Sequence, residues 1–370
     1  MDPEGKFYDF ALYLPRFAYF HSPQFFTFDG PGYVYPAPLA ALHGLLSLPP
    51  APTKVFLGLL VSAWFSATAL WGRVLLRRGL ARRQVLVLAG IVAALSYPFW
   101  FEFEQANLEG ILCVLVGAGI VAFLSGRGYT AGVCLGIAGS MKIYPLVFLG
   151  LLLARKQYKQ MAVAGLACGL SLLAGLWLVC PDMAVSWHGM RMGLEGFRQW
   201  YVLSYMDVGF DHSLIGVCKA ISLIVLPYEL PMWALSLLVW IYTATAAFAG
   251  ILIYFDVICK RPVINQVMCL TIATILLPPV SYDYTLLHLY VPWALLVLFA
   301  WENRGRDVPG LTAAMVCFAI LFAPETELIV HGQSYGGQVK ACALVALLLI
   351  ALLRKFPSTY DAEAPALAVG

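Results

Sequence analysis

Four short segments of the chain place ionisable or amide side chains among apolar residues, where such side chains are costly and therefore mark candidate functional sites. The segments cover residues 8–17, 101–110, 140–145 and 278–290. In the first segment, Asp9 lies among aromatic residues. An apolar wall favours the neutral form of a carboxylate, which makes the carboxylate a better proton acceptor. Asp9 is therefore a candidate general base, and the alternative is a solvated aspartate.

The second and third segments carry groups that suit a phosphorylated sugar. Gln105 and Asn107 can hydrogen-bond sugar hydroxyls, and three acidic residues supply charge beside them, which are Glu102, Glu104 and Glu109. The alternative for these residues is a turn that caps a helix. Lys142 is a point cation in a region nearly free of acidic residues, so it suits a phosphate. The alternative for Lys142 is a structural pairing with a carboxylate such as Glu104.

The fourth segment combines an acid, a phenol and an imidazole. Tyr284 and His288 are four residues apart and would share one face of a helix, with Asp283 just before them. The alternative is a polar helix cap with a satisfied histidine. The long segment 181–212 adds four candidates with weaker geometry, which are Arg191, Arg198, Asp211 and His212.

The composition indicates that membrane helices must position these groups. Of the 370 residues, 61% are hydrophobic and 12% are charged, and the mean hydropathy is +0.82. Soluble domains carry about 25% charged residues, so a soluble or disordered protein is excluded. A net charge of +3 without a separate basic block excludes nucleic acid as a partner. Long continuous apolar runs favour an all-α polytopic membrane protein over a β-barrel.

The positions of lysine and arginine predict the orientation of the chain, because these residues are retained on the cytoplasmic side. They predict about nine transmembrane spans, with the N-terminus outside and the C-terminus inside. The predicted spans are 54–72, 84–101, 110–125, 161–180, 234–254, 263–280, 285–301, 309–324 and 338–353. This topology places the polar segments on the external side or reaching toward it.

The stretch 131–153 breaks this alternation. A single crossing would place a basic cluster outside and would bury Lys142 and Pro145 at the middle of the membrane, which is costly. Two half-helices of about 11 residues each rise only ~17 Å, about half a bilayer. The pattern therefore predicts a re-entrant helical hairpin with Lys142 at its tip.

The same pattern predicts a single transmembrane domain over residues 1–355. Within it, residues 1–53 are expected to form an external loop with interfacial helices, and residues 181–230 an external loop. Residues 356–370 are expected to be a disordered cytoplasmic tail. Residues 1–37 are polar and aromatic and do not themselves contain a signal peptide or a span. We therefore expect either unaided translocation of this segment or a first helix before it.

These motifs, in this order, resemble the GT-C glycosyltransferases, and more closely the polyprenyl-phosphomannose-dependent α-1,2-mannosyltransferases of glycosyltransferase family 87. The D-F-x-x-Y, aromatic-Y-P-x-L and E-Q-x-N elements are matched by Asp9, Phe10 and Tyr13, by Tyr35, Pro36 and Leu39, and by Glu104, Gln105 and Asn107. The K-x-Y-P and H-S-L-x-G elements are matched by Lys142, Tyr144 and Pro145 and by His212, Ser213, Leu214 and Gly216. A late P-x-S-W-x-H element is matched only by Pro279, Ser281 and Tyr282, with Tyr284 in place of its histidine. The family's first transmembrane helix, which precedes the aspartate, has no counterpart in this sequence.

The resemblance implies an enzyme with a GT-C-like fold. It would transfer a hexose, mannose in the family, from a polyprenyl-phosphate-linked donor to a glycolipid or glycan acceptor, with inversion. Asp9 would be the general base. The residues expected to bind the donor phosphate are Lys142, Arg191, Arg198 and His288. Those expected to contact the sugar or the acceptor are Tyr13, Tyr35, Glu104, Gln105, Asn107, Tyr144, His212, Asp283 and Tyr284.

The implied setting is the plasma or inner membrane, with the active site on the external face. The expected partners are the bilayer, the lipid-linked donor and the acceptor, and the oligomeric state is left open. No cofactor is required in principle, although a divalent ion on the acidic cluster is an alternative. The rival interpretations are a transporter or flippase of lipid-linked sugars and an inactive relative that binds them. Transporters usually place coupled charges near the midplane, whereas these polar residues gather toward one face, which favours the enzyme.

Overall fold

The computed structural model describes residues 8–27, 33–226, 228–324, 329–330 and 333–363. These residues are almost entirely helical, which confirms the prediction of an all-α polytopic membrane protein. The first helices are α1 (Tyr8–Phe17), α2 (Gln24–Thr27), α3 (Ala37–Ser47), α4 (Pro52–Arg77), α5 (Arg82–Leu95), α6 (Tyr97–Gln105), α7 (Glu109–Leu124), α8 (Gly128–Met141) and α9 (Leu149–Ala154). Those that follow are α10 (Tyr158–Val179), α11 (Met183–Phe197), α12 (Leu214–Val225), α13 (Met232–Asp256), α14 (Val263–Leu276), α15 (Tyr290–Glu302), α16 (Leu311–Phe322), α17 (Gly336–Leu353) and α18 (Thr359–Glu363). Two short strands, β1 (Ile329–Val330) and β2 (Gln333–Ser334), pair antiparallel between α16 and α17.

Five of the described helical segments are long and apolar enough to cross a membrane, or six if α5 and α6 form one broken span. The five are Pro52–Arg77, Tyr158–Val179, Met232–Lys260, Asp283–Glu302 and Gly336–Leu353. The predicted count of nine is therefore not confirmed. Two of the predicted spans are the short helices α14 and α16, of 14 and 12 residues. Helices of that length rise about 21 and 18 Å, less than the ~30 Å of a hydrocarbon core.

The predicted break at Lys142 is present in the structure. Helix α8 ends at Met141, Lys142 has an extended backbone, and a 3₁₀ helix over Tyr144–Phe148 leads into α9. Pro145 explains the break, because proline lacks the N–H that a continuous helix needs. The re-entrant path of this hairpin through the membrane stays a prediction.

Close packing of α8 against α10 holds this break in place. A Cβ atom added to Gly132 would lie 2.5 Å from the carbonyl oxygen of Gln160, and one added to Gly136 would lie 2.2 Å from that of Ala164. Only glycine permits two helix backbones to approach this closely. The glycine pattern of α8 therefore fixes the helix that ends just before Lys142.

The chain separates into two compact units. The first contains residues 1–70, 100–149 and 157–200, and the second contains residues 71–99, 150–156 and 201–370. The predicted single domain over residues 1–355 stays a prediction, and each unit is described below by itself.

The start of the predicted disordered tail is ordered, which corrects that part of the prediction. The backbone N–H of Phe356 donates to Asn265 Oδ1 over 2.8 Å, and that of Val263 donates to Asp361 Oδ1 over 2.8 Å. The Arg78 guanidinium lies 4.2 Å from the ring centroid of Tyr360. These polar contacts fix residues 356–361 to the start of α14, and a hydropathy pattern does not reveal them.

Candidate functional site

An aromatic cluster in the first unit fixes helix α1, which carries the sequence position of Asp9. The Phe10 ring stacks on Phe56 with centroids 4.4 Å apart and lies 5.8 Å from the His43 ring. Aromatic pairs at these distances add about 0.5–1.5 kcal/mol beyond their buried area. The side chain of Asp9 lies outside the described part of the structure, so its role as general base stays a prediction.

One turn further along α1, Tyr13 joins this cluster to the segment that follows. Its ring contacts Tyr33 edge-on at 4.8 Å and lies 6.2 Å from Tyr35. Tyr35 in turn contacts the residues around Lys142. The helix that carries Asp9 is thus packed, through Tyr13, next to the predicted phosphate-binding region.

The centre of the first unit is a group of four side chains, the Lys142 cluster, which consists of Tyr35, Asn107, Glu109 and Lys142. Lys142 Nζ lies 2.5 Å from Glu109 Oε2 and 3.4 Å from Asn107 Oδ1. The same ammonium lies 5.5 Å from the centroid of the Tyr35 ring. Asn107 donates from Nδ2 to the Tyr35 hydroxyl over 3.2 Å. The cluster brings together three predicted site residues and Glu109, which the sequence indicated only as a source of charge in its segment.

Exposure distinguishes the two charged members of the cluster. The Glu109 side chain is fully buried, whereas Lys142 keeps 13% of its side-chain surface. Pairing keeps the buried carboxylate from standing as an isolated charge, which would be strongly unfavourable. Lys142 is thus the member of the pair that can meet a ligand.

The turn between α6 and α7 brings Asn107 and Glu109 to this position. Ala106 has φ +52, a left-handed backbone conformation that residues other than glycine and asparagine seldom adopt. Glu102 Oε1 accepts a hydrogen bond from the backbone N–H of Gly110 over 2.8 Å. This bond confirms the capping interpretation for part of the segment, because it satisfies a donor of the first turn of α7.

Three more predicted residues lie close in sequence to the Lys142 cluster but are not members of it. Glu104 is exposed, and Gln105 and Tyr144 are half-buried. The carboxylate that pairs with Lys142 is Glu109 and not the Glu104 of the sequence-based alternative. Their contacts with a sugar or an acceptor stay predictions.

The two predicted arginines, Arg191 in α11 and Arg198 just after it, line a groove of about 530 Å³ in the first unit. Arg198 Nη1 lies 3.4 Å from Glu195 Oε1, and both side chains are partly exposed. Helix α11 crosses close to the segment that carries Tyr35, because a Cβ on Gly193 would lie 1.9 Å from the carbonyl oxygen of Tyr33. A phosphate-binding role for Arg191 and Arg198 stays a prediction.

Next to the Lys142 cluster, His43 is buried and neutral. Burial lowers the pKa of His43 to about 3, and the positive charge of Lys142 contributes in the same direction. The Tyr33 hydroxyl and His43 Nδ1 share a hydrogen bond of 2.6 Å. His43 therefore adds no second positive charge beside Lys142 at neutral pH.

We expect this buried histidine to make the fold sensitive to acid. Because the pKa of His43 is near 3 in the folded chain and about 6.5 when unfolded, only the unfolded chain takes up the proton between these values. Stability then falls by up to about 1.4 kcal/mol per pH unit below pH 6.5. Between pH 7.5 and 5, the melting temperature of the wild type should decrease more than that of His43→Gln. The exposed His188→Gln variant is the control and should follow the wild type; equal pH dependence in all three would contradict the prediction.

A second cluster of buried ionisable side chains lies in the second unit and consists of His212, Asp283 and Lys340. His212 Nε2 lies 3.3 Å from Asp283 Oδ1, and Lys340 Nζ donates a hydrogen bond to the same oxygen. The Lys340 ammonium also lies 5.1 Å from the centroid of the Tyr97 ring. Sequence reasoning missed Lys340, although a lysine within an apolar span is a signal that could have been used.

The backbone around His212 is held by Asp211. Asp211 Oδ1 accepts the N–H groups of Ser213 and Ser281 over 2.8 and 2.9 Å, and the N–H of His212 donates to the Ser281 carbonyl over 2.8 Å. Burial raises the pKa of Asp211, and the hydrogen bonds oppose that shift. Within the described residues, neither ring nitrogen of His212 makes a hydrogen bond, so the imidazole is oriented but keeps its donor and acceptor.

The other predicted residues of the fourth segment also belong to the second unit. His288 is fully buried, and Tyr284 is half-buried with its ring 5.9 Å from that of Tyr282. The expected role of His288 in binding the donor phosphate stays a prediction. Among the described residues, no three His, Cys, Asp or Glu side chains are grouped as metal ligands would be.

Removing the amine of Lys340 should destabilise the protein strongly. In Lys340→Met, the buried Asp283 carboxylate loses its cation, which typically costs about 3–5 kcal/mol. The Lys340→Met/Asp283→Asn double variant removes both charges and should recover most of the loss in melting temperature. Exposed Lys355→Met is the control, with an expected change within about 0.5 kcal/mol. A double variant as unstable as Lys340→Met would contradict charge pairing as the cause.

The comparisons with known proteins give one match. The sequence model of glycosyltransferase family 87 matches residues 33–249, more than half of the chain. The matched range contains the whole Lys142 cluster, Arg191, Arg198 and His212. Asp9, Asp283 and Lys340 lie outside it. Neither a curated protein nor a solved structure matches the chain.

Proposed function

The chain belongs to glycosyltransferase family 87 and is a membrane glycosyltransferase, and we propose that its donor is a sugar linked to a polyprenyl phosphate. The transferred sugar in this proposal is a hexose, mannose, and the acceptor is a glycolipid or glycan. Transfer takes place with inversion on the external face of the plasma or inner membrane. The positive loop over residues 73–83 supports this orientation, because such loops stay in the cytoplasm.

The observation that carries the proposal is the partly exposed Lys142 beside the fully buried Glu109. When a sugar leaves a polyprenyl phosphate, negative charge develops on the departing phosphate. A fixed cation in a site of low dielectric stabilises such charge far more than it would in water. Lys142 supplies that cation at the break between α8 and the following 3₁₀ helix, and Arg191 and Arg198 are proposed to assist.

The remaining steps follow from the chemistry of glycosyl transfer. Asp9 takes the proton of an acceptor hydroxyl, and that oxygen attacks the anomeric carbon as the bond to the phosphate oxygen breaks. The lipid phosphate leaves with the bonding electron pair and remains at Lys142. Asn107, held by Tyr35, hydrogen-bonds the sugar together with Gln105. We assign recognition of the acceptor to His212, Asp283 and Tyr284.

A transfer assay tests the proposal. The purified full-length chain, in lipid nanodiscs, receives radiolabelled polyprenyl-phosphomannose and a membrane extract as the acceptor pool. Nucleotide-linked mannose in a parallel reaction is the matched donor control. Label that moves to a new product only from the lipid donor supports the proposal. Transfer from the nucleotide donor alone would replace the donor class, and no transfer by the folded protein would favour the binding or transport interpretations.

A further inference from the structure

The second unit has a groove at one end of the span Asp283–Glu302, opposite to the end that holds Asp283. The groove has a volume of about 790 Å³ and lies between the start of α5 and the end of α15. One wall contains Val87 and Leu88, and the other contains Val297 and Ala300. At a rise of about 1.5 Å per residue, the far end of this helical span lies roughly 30 Å from Asp283. The groove is therefore separate from the His212–Asp283–Lys340 cluster.

Two arginines give this apolar groove a positive end. Arg83, in the first turn of α5, and Arg304, two residues after α15, both line it and are exposed, and its lining contains no acidic residue. The basic loop 73–83 places this end of the unit on the cytoplasmic side in the predicted topology. The cytoplasmic leaflet carries anionic lipid, so the groove and the lipid around it carry opposite charges on that side.

Trp301 positions one of these arginines. The Arg304 guanidinium lies 4.3 Å from the centroid of the Trp301 ring, a cation–π contact. A guanidinium stacked by its face keeps its N–H edges for two parallel hydrogen bonds to a phosphate. Trp301 itself lines the groove, and tryptophan favours the depth of lipid headgroups.

We propose that this groove binds an anionic phospholipid. Its phosphate contacts Arg83 and Arg304, and an acyl chain lies between Val87 and Val297. The apolar walls distinguish this ligand from a soluble phosphate, and the two arginines distinguish it from a neutral lipid. This inference does not depend on the proposed glycosyl donor, because it concerns another site in the chain.

Native mass spectrometry of the full-length chain tests this proposal by counting retained phosphatidylglycerol and phosphatidylcholine. We expect the wild type to retain phosphatidylglycerol preferentially. The Arg83→Gln/Arg304→Gln variant should lower its affinity by about 30-fold, given the usual contribution of a basic residue to binding anionic lipid. Arg73→Gln/Arg306→Gln removes the same charge from two exposed arginines outside the groove and should change affinity less than about 3-fold. Equal losses in the two double variants would overturn the proposal, since net charge alone would then explain retention.

Two further measurements distinguish the contribution of the lipid headgroup from that of the acyl chains. Glycerophosphoglycerol, which carries the headgroup without chains, should not displace the retained phosphatidylglycerol; displacement would mean that a phosphate site alone is present. Val87→Trp keeps both arginines and narrows the groove. Because Val87 is exposed, this variant should fold as the wild type does. This variant should also reduce retention, and unchanged retention would exclude the apolar walls from the site.

Discussion

The double variant Lys142→Met/Glu109→Gln is expected to keep its fold and to transfer sugar about 10²–10³ times more slowly, in kcat/KM, than Glu109→Gln alone. The range is that for removing one group that stabilises developing negative charge in an active site. The reference variant matters because Lys142 also neutralises Glu109, which is fully buried. Changing both residues removes the pair together, and so avoids an isolated buried carboxylate.

The single variant Lys142→Met is expected to differ from the double variant in stability and not in activity. Loss of the ammonium alone leaves the Glu109 carboxylate unpaired, with a cost of about 3–5 kcal/mol. Melting temperatures of the three variants therefore report the structural role of the pair, and kcat/KM with the lipid donor reports the role in transfer. Binding of radiolabelled donor should weaken in the double variant, because the phosphate that Lys142 is proposed to contact is already present in the donor before transfer.

A result against this assignment is easy to define. If Lys142→Met/Glu109→Gln folds and transfers sugar as fast as Glu109→Gln, then Lys142 serves only to neutralise Glu109. The cation for the phosphate would then have to come from elsewhere, and Arg191 and Arg198 would be tested next. Lys142→Arg is a useful companion, since it keeps the charge but replaces a compact ammonium by a planar fork.

The helical architecture could be predicted from the sequence because hydropathy and basic residues report directly on membrane insertion. Every predicted span corresponds to a helix or a pair of helices at nearly the same positions. The predicted number of spans is not confirmed. Helices α14 and α16 are too short to cross alone, and a window of apolar residues does not distinguish a short buried helix from a span.

The Lys142 cluster could be predicted in part. Lys142, Asn107 and Tyr35 carry polar groups at unusual places in an apolar chain, and the structure brings these three together. Glu109 was considered only as one of three acidic residues that supply charge, and it lies in the first turn of α7, where acidic residues are common. Its pairing with Lys142 depends on the left-handed turn at Ala106, which no sequence pattern predicts.

The second cluster shows a different limit of sequence reasoning. His212 and Asp283 were candidates on separate grounds, and 70 residues lie between them. Their contact depends on the Asp211 carboxylate, which accepts the backbone N–H of the nearby Ser213 and that of Ser281, 70 residues further along the chain. Lys340 belongs to the apolar helix α17, so its buried pairing with Asp283 is a tertiary feature.

Asp9→Asn is expected to lower kcat for transfer by about 10²–10⁴, the range for loss of a general base. The amide has nearly the size of the carboxylate, but it does not accept the proton of the acceptor hydroxyl at the working pH. Helix α1 should keep its place, because its contacts to the aromatic cluster are made by Phe10 and Tyr13. The melting temperature of Asp9→Asn should therefore match that of the wild type.

The separation of binding from chemistry distinguishes Asp9 from Lys142. If Asp9 is the base, Asp9→Asn binds the radiolabelled donor as the wild type does and fails in the transfer step. The Lys142→Met/Glu109→Gln variant should fail already in donor binding, because it lacks the phosphate's cation. Asp9→Glu, which keeps the carboxylate on a longer side chain, should retain more activity than Asp9→Asn. Unchanged kcat in a folded Asp9→Asn variant would remove Asp9 from the mechanism, while leaving the phosphate-binding role of Lys142 to be decided by its own test.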